Sequence, residues 1–173
     1  RSFPLVLLAA AGALSCRAAG GDPRINTIIP AVSPRRIEAD LRALVGFGTR
    51  HTLSDTLSAT RGIGAARRWI KAEFERISAA CGGCLEVRYV SEVYQGLPRV
   101  PDPTNVVSVI AVQRGTGDPD RYVLVGGHFD SRVSDVMNVR DSAPGANDDA
   151  SGVAAVLEAA RVLSGQRFHG SIV

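Results

Sequence analysis

The feature that most restricts the fold is a set of three apolar segments near the end of the sequence. Residues 122–127 read YVLVGG, residues 151–164 read SGVAAVLEAARVLS, and residues 169–173 read HGSIV. The outer segments are short, as strands are, whereas the middle one has the length and Ala content of a helix. A strand, helix, strand unit forms a right-handed crossover between parallel strands, and ligand sites in such sheets lie beyond the carboxyl ends of the strands. The sequence therefore predicts an α/β sheet.

Two more helices are predicted upstream of this unit. Ser33 and Pro34 are typical of a helix start, with Ser as the N-cap and Pro at the first helical position. A second helix is indicated by apolar residues at steps of three and four, which share one helix face: Ile63, Ala66, Ile70, Phe74 and Ile77. We expect this helix to end at Cys81 and Gly82, since glycine readily adopts the left-handed conformation found at helix ends.

Valine-rich runs at residues 85–94, 105–112 and 122–127 predict three strands. The connection between the last two, QRGTGDPDR, is rich in turn residues and too short for a crossover helix, so it predicts an antiparallel hairpin. Together with the parallel unit, these elements predict one α/β domain over residues 33–173, with a mixed, mainly parallel sheet flanked by helices.

The first residues are expected to direct export. Residues 4–14, PLVLLAAAGAL, are apolar but too few to span a bilayer, which takes about 20 residues, and they match the central region of a signal peptide. We therefore predict a signal peptide at residues 1–20, a Gly- and Pro-rich linker at residues 21–32, and a secreted, periplasmic or extracellular protein. Because ALSC resembles a lipoprotein cleavage box, lipid attachment at Cys16 is the alternative, and it alone would bring the protein to a membrane.

The charge pattern argues against nucleic acid as a partner. The formal net charge is +3 at pH 7, but the basic residues are scattered and form no run. Binding to nucleic acid needs a clustered basic surface, so the scattered arginines are better explained as solvated side chains.

Removal of the predicted signal peptide leaves two cysteines, Cys81 and Cys84. A CxxC pair can form a short-range disulfide, bind zinc as half of a knuckle, or act as a redox pair. A zinc knuckle needs a second such pair, and a redox motif lies between a strand and a helix instead of after a helix. A structural disulfide is therefore the preferred interpretation.

The segment GGHFDS places polar side chains at the end of the strand predicted at residues 122–127. Side chains alternate in direction along an extended chain, so His128 and Asp130 point to one side and Phe129 to the other. A histidine that binds a metal usually donates its second ring N–H to a carboxylate, which fixes its tautomer. His128 is thus a candidate metal ligand with Asp130 as its partner, although a solvated histidine at a strand end would show the same short pattern.

The segment GANDDASG places Asp148 and Asp149 side by side just before the helix predicted at residues 151–164. Asn, Asp, Ser and Gly are typical of loops and helix starts, and Ser151 by itself could cap the helix. That interpretation does not account for two adjacent carboxylates, whose mutual repulsion is relieved when a cation neutralises them. The pair therefore favours a metal site.

These two segments, with the Ala-rich helix after them, resemble the dizinc aminopeptidase family that includes secreted bacterial leucyl aminopeptidases. The motifs FGTRHT and RGIGAARRWIKAEF also resemble the first part of that family's catalytic domain. The resemblance implies a zinc exopeptidase-like fold of the phosphorylase/hydrolase type, with three αβα layers, and peptides as substrates. It also implies two zinc ions as cofactors, which polarise a carbonyl and lower the pKa of a bound water toward about 7.

The same resemblance implies a role for each of three residues. His128 would bind one zinc, Asp130 would hold the ring of His128, and Asp148 would bridge the two zincs. Asp149 would be a neighbour of the site and not a ligand.

Two zincs need more ligands than these residues supply, since a catalytic zinc typically has three protein ligands. In the family a vicinal Glu pair provides the general base and one ligand, and a later Asp and His complete the site. The sequence contains no Glu-Glu pair, begins with Arg1 and ends at Val173. We therefore expect the chain to be the N-terminal part of the catalytic domain, truncated at its C-terminus, and inactive by itself.

Three functions compete at this point. The preferred one is removal of N-terminal residues from peptides by the full-length protein. A second is a different function on the same fold, either a single-zinc cyclising acyltransferase or a receptor-like ectodomain without catalysis. The intact HFDS and NDDASG motifs argue against it. A third is an exported binding module whose acidic loop holds calcium, since oxygen-rich loops suit that ion.

Overall fold

The structure, a computed structural model, describes residues 21–173. The predicted signal peptide at residues 1–20, with the lipid-attachment alternative, lies outside the described residues. The predicted linker contains a single helical turn, α1 (Ile25–Ile28), followed by a 3-10 turn (Ile29–Ala31), and neither turn has a buried residue. Within the described residues, no helix combines the length and the apolar character that crossing a membrane requires.

Longer helices and the strands follow this first turn. They are α2 (Pro34–Gly46), α3 (Gly62–Ala80), β1 (Glu86–Tyr94), β2 (Thr104–Val112), β3 (Asp118–Val123), α4 (Ser151–Leu163) and β4 (Gly170–Ile172). The N-cap prediction for α2 is confirmed, because the Ser33 hydroxyl accepts a hydrogen bond from the N–H of Arg36 at 3.4 Å. The predicted end of α3 is confirmed as well, since the helix stops one residue before Cys81 and Gly82 has a φ of 76°.

The strands make two pairs that a single bridge connects. β1 and β2 pair antiparallel along their whole length, whereas β3 and β4 pair parallel. β4 also meets the chain just after β2, since Gln113 and Ile172 exchange two antiparallel backbone hydrogen bonds of 2.9 Å. The predicted α/β class with a mixed sheet is confirmed, and the parallel pair connected through α4 confirms the strand, helix, strand unit.

The predicted hairpin between β2 and β3 is wrong, because β4 lies between these two strands. On one side β4 bonds to Gln113, and on the other side it continues alongside β3. There the N–H of Val173 donates to the carbonyl of Val123 at 2.9 Å, and the N–H of Val125 donates to the carbonyl of Val173 at 2.8 Å. β4, which comes much later in the sequence, therefore occupies the position beside β2 that the short connection predicted for β3.

Helices α2, α3 and α4 build the core together with the residues just before β1 and α4. Its buried side chains are mainly aliphatic: Leu44, Ile70, Phe74, Ile77, Leu85, Ala150, Val153 and Leu157. Burial of such side chains is the main stabilising contribution, at about 25 cal/mol per Å² of apolar surface. Because α4 contributes Val153 and Leu157, its first turn and the acidic segment before it are held in place by the core.

Cys81 and Cys84 form a disulfide directly after α3. The same turn is closed by a hydrogen bond from the N–H of Gly83 to the carbonyl of Ser78 at 2.8 Å. The preferred interpretation of the CGGC segment, a structural disulfide that follows a helix, is confirmed.

Glu158 is a buried carboxylate that ties α4 to the start of α2. It is 3% exposed and accepts hydrogen bonds from the N–H of Ser33 at 2.6 Å and from the guanidinium of Arg161 at 2.6 and 2.7 Å. The pKa of Glu158 lies below its ordinary value, mainly because of the hydrogen bond with Arg161. Burial raises the pKa, and the hydrogen bond from Ser33 lowers it.

Replacing Glu158 by glutamine is expected to lower the free energy of unfolding by about 1.5–3 kcal/mol at pH 7, because the charged acceptor of these bonds is lost. A carboxyl group with a lower pKa in the folded protein stabilises it above the unfolded pKa. That contribution disappears as the pH falls through the folded pKa. Urea unfolding should therefore show a difference between wild type and Glu158→Gln that shrinks from pH 7 toward acid.

Glu38 offers a matched control for this substitution. It is an exposed glutamate that pairs with Arg42 on the same helix. Glu38→Gln should change the free energy of unfolding by less than about 0.5 kcal/mol. A destabilisation by Glu158→Gln that stays the same at every pH would contradict the assignment of the effect to the carboxylate charge.

Candidate metal centre

His128 lies beyond β3, and its main chain is held by the loop that precedes α4. Its backbone N–H donates to Oδ2 of Asp149 at 3.3 Å. Three residues earlier, the N–H of Val125 is still bonded to β4 through the carbonyl of Val173, so the sheet sets the direction in which the chain leaves. The side chain of His128 is 57% exposed, which leaves it accessible from solvent.

Asp130 and Asp148 face opposite nitrogens of the His128 ring. Nδ1 of His128 lies 3.2 Å from Oδ1 of Asp130, and Nε2 lies 3.0 Å from Oδ1 of Asp148. The side chain of Asp148 is 88% exposed, so its carboxylate is open to solvent. The structure thus brings together all three residues to which the sequence assigns a site role, although they come from two separate loops.

The carboxylates around His128 make its surroundings negative. Partial burial lowers the pKa of His128, but the charges of Asp130 and Asp149 and the hydrogen bonds with Asp130 outweigh burial, so the pKa lies above its ordinary value. The hydroxyl of Thr52 donates to Oδ2 of Asp130 at 3.4 Å, which leaves Oδ1 for the histidine. Negative surroundings of this kind stabilise a proton or a metal cation in the same place.

Asp149 has a task that differs from that of Asp148. Its Oδ1 accepts the N–H of Gly152 in the first turn of α4 at 2.9 Å, while its Oδ2 accepts the N–H of His128. The side chain that bonds to the first turn of α4 is therefore Asp149 and not Ser151, whose hydroxyl donates back to a carbonyl of the preceding turn. The sequence assigns Asp149 no task beyond that of a neighbour, whereas the structure shows that it joins the two loops of the site.

Arg50 is a second residue of the site region that sequence reasoning missed. It is fully buried, and its guanidinium donates to the carbonyls of Phe129 and Gly145, one in each loop of the site. The available signal was its place in the motif FGTRHT. An arginine in a polar loop shows no periodicity that would distinguish a buried side chain from a solvated one.

The other two histidines, to which the sequence assigns no role, have different partners. His51 is 5% exposed, and its ring accepts the N–H of Leu53 through Nδ1 and bonds through Nε2 to the carbonyl of Val136 at 3.0 Å. His169 lies just before β4, where its carbonyl accepts the N–H of Gly117 at 3.1 Å. Both histidines have contacts that hold loops together.

Comparison with known families accounts for this arrangement. Residues 105–173, which contain all but the first residue of β2 and also β3, α4, β4 and both loops of the site, match the model of peptidase family M28. Over these residues, the chain is similar to peptidase family M28. The matched residues include His128, Asp130 and Asp148, so the part of the chain that is similar to the family also carries the candidate site.

Curated relatives of this chain include proteins of Pyricularia and Pyrenophora species. The chain is 47% identical over 152 residues to a "Probable zinc metalloprotease" of Pyricularia oryzae, and the match covers 88% of this chain and 30% of the relative. A protein of the same description from Pyrenophora teres f. teres is 44% identical over 152 residues, with 88% and 32% covered. The chain therefore spans about a third of the length of the curated relatives it matches.

Several solved structures share the fold of this chain. LapB from Legionella pneumophila superposes with a TM-score of 0.66 at 22% identity, over 88% of this chain and 37% of that chain. The LapA aminopeptidase of the same organism gives 0.64 at 21% identity, over 86% and 35%. A glutaminyl cyclase from Fimbriiglobus ruber gives 0.59 at 20% identity, over 82% and 43%. At these identities the similarity shows the fold alone.

The geometry of the two site loops fits a zinc ion. Zinc binds histidine nitrogen and carboxylate oxygen at about 2.0–2.2 Å, so two ligand atoms of one tetrahedral zinc lie about 3.3 Å apart. The 3.0 Å between Nε2 of His128 and Oδ1 of Asp148 is close to this value, and zinc accepts imidazole together with carboxylate. Within residues 21–173, no group of three or more His, Cys, Asp or Glu side chains is placed to hold a metal ion. The described residues therefore supply two candidate ligands and the partner Asp130.

Proposed function

We propose that this chain carries part of the active site of a zinc-dependent aminopeptidase, an exopeptidase that removes N-terminal residues from peptides with water activated by two zinc ions. The observation that carries the proposal is the contact of His128 with both Asp130 and Asp148 inside the M28 residues. The description of the Pyricularia relative as a zinc metalloprotease and of LapA as an aminopeptidase supports it.

Each of the three residues has one task in this proposal. His128 would bind one zinc through Nε2, while Asp130 accepts a hydrogen bond from Nδ1–H and so keeps the ring in the tautomer that a metal needs. Asp148, which is exposed and negatively charged, is the candidate bridge between the two zincs. Zinc bound here would polarise the scissile carbonyl and supply a water with a pKa lowered toward about 7.

The complete site needs ligands beyond these. A catalytic zinc typically has three protein ligands and one open position, so the proposal requires the full-length gene product to supply the remaining ligands and the general base. The chain by itself is expected to be inactive. Tests of activity and metal binding therefore require the full-length gene product.

A zinc-dependent cyclising acyltransferase is the second candidate, because glutaminyl cyclases share this fold. Both reactions would use zinc to polarise a carbonyl, so the fold does not choose between them. The products do: a peptidase releases the N-terminal residue, whereas a cyclase releases ammonia from an N-terminal glutamine and leaves the number of residues unchanged.

The metal content and the activity of the full-length gene product test the proposal. We expect about two zinc ions per molecule, hydrolysis of an aminoacyl anilide, and loss of both on treatment with a chelator. His128→Ala should lower kcat/KM by at least about 10³-fold, which corresponds to several kcal/mol of transition-state stabilisation by the metal.

His169→Ala is the matched control for this substitution, since His169 is an exposed histidine outside the site. It should retain the zinc content and the activity of the wild type. Cyclisation of an N-terminal glutamine without peptide hydrolysis would favour the acyltransferase. Calcium in place of zinc, without hydrolysis, would favour the binding module, and an unchanged kcat/KM in His128→Ala would remove the central residue from the proposal.

Export of the protein remains a proposal alongside this activity. The disulfide between Cys81 and Cys84 supports it, because disulfides persist mainly in oxidising compartments. Mass spectrometry of the extracellular fraction should find a mature N-terminus near the end of the predicted signal peptide. A protein found only in the cell interior, with its N-terminal apolar run intact, would contradict it.

A further inference from the structure

We propose that Arg50, together with Ser131, is the positioning group of the metal centre. These two residues hold the loop of His128 and the loop of Asp148 at metal-binding distance before a metal arrives. The inference rests on the proposed zinc site and adds to it two residues that lie outside the ligand set.

The guanidinium of Arg50 bonds to both loops at once. Nε donates to the carbonyl of Phe129 at 2.6 Å, Nη1 to that of Pro144 at 2.9 Å, and Nη2 to that of Gly145 at 3.1 Å. Phe129 is the residue between the two site residues of the first loop, and Gly145 precedes the kinked turn that carries Asp148. One planar group therefore sets the distance between the loops.

A fourth bond anchors this group to the body of the protein. Nη1 of Arg50 also donates to the carbonyl of Leu44, near the end of α2, at 2.9 Å. Leu44 is itself fully buried in the core. The loops are therefore fixed relative to α2 and not only to each other.

Ser131 also connects the two site loops, through hydrogen bonds to the main chain of Arg50 and to Ala143. Its hydroxyl accepts the N–H of Arg50 at 3.1 Å and donates to the carbonyl of Ala143 at 2.6 Å, while its N–H donates to the carbonyl of Arg50 at 3.2 Å. Ser131 is buried, so water competes little for these bonds. The HFDS loop and the loop before α4 are thus tied at a second point.

Burial of a charged guanidinium here needs a reason other than stability. In the part of the chain that the structure describes, every side-chain hydrogen bond of Arg50 goes to a backbone carbonyl, and the residue has no exposed surface. An apolar side chain would fill such a place with a smaller desolvation cost. What arginine adds is a rigid fork of N–H groups that reaches several carbonyls in set directions. Arg50 therefore fixes the position of the two site loops.

Zinc binding by folded variants of the full-length gene product tests this role. Arg50→Met keeps much of the side-chain length without N–H groups, Arg50→Lys keeps the charge with a single donor atom, and Ser131→Ala removes the hydroxyl. Chelator competition is measured well below the melting temperature of each variant. The Kd for zinc should rise about 10- to 100-fold in Arg50→Met, as for residues that orient metal ligands, and by less in Arg50→Lys and Ser131→Ala.

Cobalt(II) in place of zinc gives a second readout, because its visible absorption reports the geometry of the ligands. We expect the spectrum of Arg50→Met to differ from that of the wild type and the spectrum of Arg50→Lys to lie between them. A residue that contributes only to stability would lower the melting temperature without changing either the Kd or the spectrum of the folded protein.

Arg68→Lys is the matched control, since Arg68 is an exposed arginine that donates to the carbonyls of Thr56 and Leu57 and not to the site loops. Its Kd for zinc should stay within about twofold of the wild type. Folded Arg50 variants with the wild-type Kd and cobalt spectrum would overturn the inference, whatever their melting temperatures. If Arg50→Met does not fold, Arg50→Lys and Ser131→Ala decide in the same way. A wild-type protein without zinc affinity would overturn the proposed function together with the role of Arg50. Normal zinc affinity in the wild type and in the Arg50 variants would overturn only the role of Arg50.

Discussion

Replacing Asp148 by asparagine is expected to abolish peptide hydrolysis by the full-length gene product, while the free energy of unfolding of the metal-free protein stays within about 0.5 kcal/mol of the wild type. The side chain of Asp148 is 88% exposed and contacts His128, so folding loses little when the charge is removed. A carboxylate shared by two zincs, by contrast, has no adequate substitute in a neutral amide. We expect the zinc content to fall from about two per molecule to at most one, and kcat/KM to fall at least about 10³-fold.

Asp149→Asn is the matched control, because it makes the same chemical change one residue later. Asp149 accepts N–H groups with both oxygens, from Gly152 and from His128, and an amide would turn an NH2 group toward one of these donors. The free energy of unfolding should fall by about 1–3 kcal/mol, which is the cost of leaving a donor without a partner. Urea unfolding, metal analysis and hydrolysis of an aminoacyl anilide measure the contrast.

Two results would contradict this division of tasks. One is an Asp148→Asn protein that keeps about two zincs and its activity, since the bridge would then lie elsewhere. The other is an Asp149→Asn protein that is as stable as the wild type but has lost its metal. In that case Asp149, and not Asp148, would be the ligand.

Replacing Gly145 by alanine is expected to lower the free energy of unfolding by about 2–5 kcal/mol, from backbone strain and steric overlap together. Gly145 has a φ of 46°, in the left-handed region. A Cβ atom there would lie 2.6 Å from Cβ of Ser131, 2.7 Å from the carbonyl oxygen of Asp148 and 3.0 Å from Nη2 of Arg50. The substitution therefore strains the backbone and separates the groups that hold the two loops.

Urea unfolding and the Kd for zinc measure the effect of Gly145→Ala. Because the new methyl group displaces the loop of Asp148, we expect zinc to bind more weakly in the molecules that remain folded. Gly165→Ala is the control, since a Cβ at Gly165 would meet no heavy atom within 4 Å and its φ is not positive. A Gly145→Ala protein with wild-type stability and zinc affinity would show that this turn does not need glycine.

Contacts between near neighbours in the sequence were within reach of prediction. The start of α2 at Ser33 and Pro34 and the end of α3 before Gly82 depend on residues a few positions apart. The same holds for His128 and Asp130, which share one side of an extended segment and lie 3.2 Å apart. The disulfide between Cys81 and Cys84 is equally local.

Strand order could not be predicted, because it depends on contacts between residues far apart in the sequence. The short connection between β2 and β3 made a hairpin the simplest expectation, but hydrogen bonds to Gln113 and Val123 bring β4 between them. A backbone edge accepts whichever strand forms the better ladder and packs best on the core, and neither quantity can be read from a connecting turn.

Local patterns in the sequence were sufficient for the α/β class, for the three long helices and for the residue types of the candidate site. Packing was required to show which of two adjacent carboxylates faces Nε2 of His128, because a kinked turn sends Asp148 toward the ring and Asp149 toward the first turn of α4. It was also required to reveal Arg50, whose hydrogen bonds reach Phe129 and Gly145 at sequence separations of 79 and 95. Hydrogen bonds at such separations leave no periodicity in a sequence, since they arise only when the core has brought distant loops together.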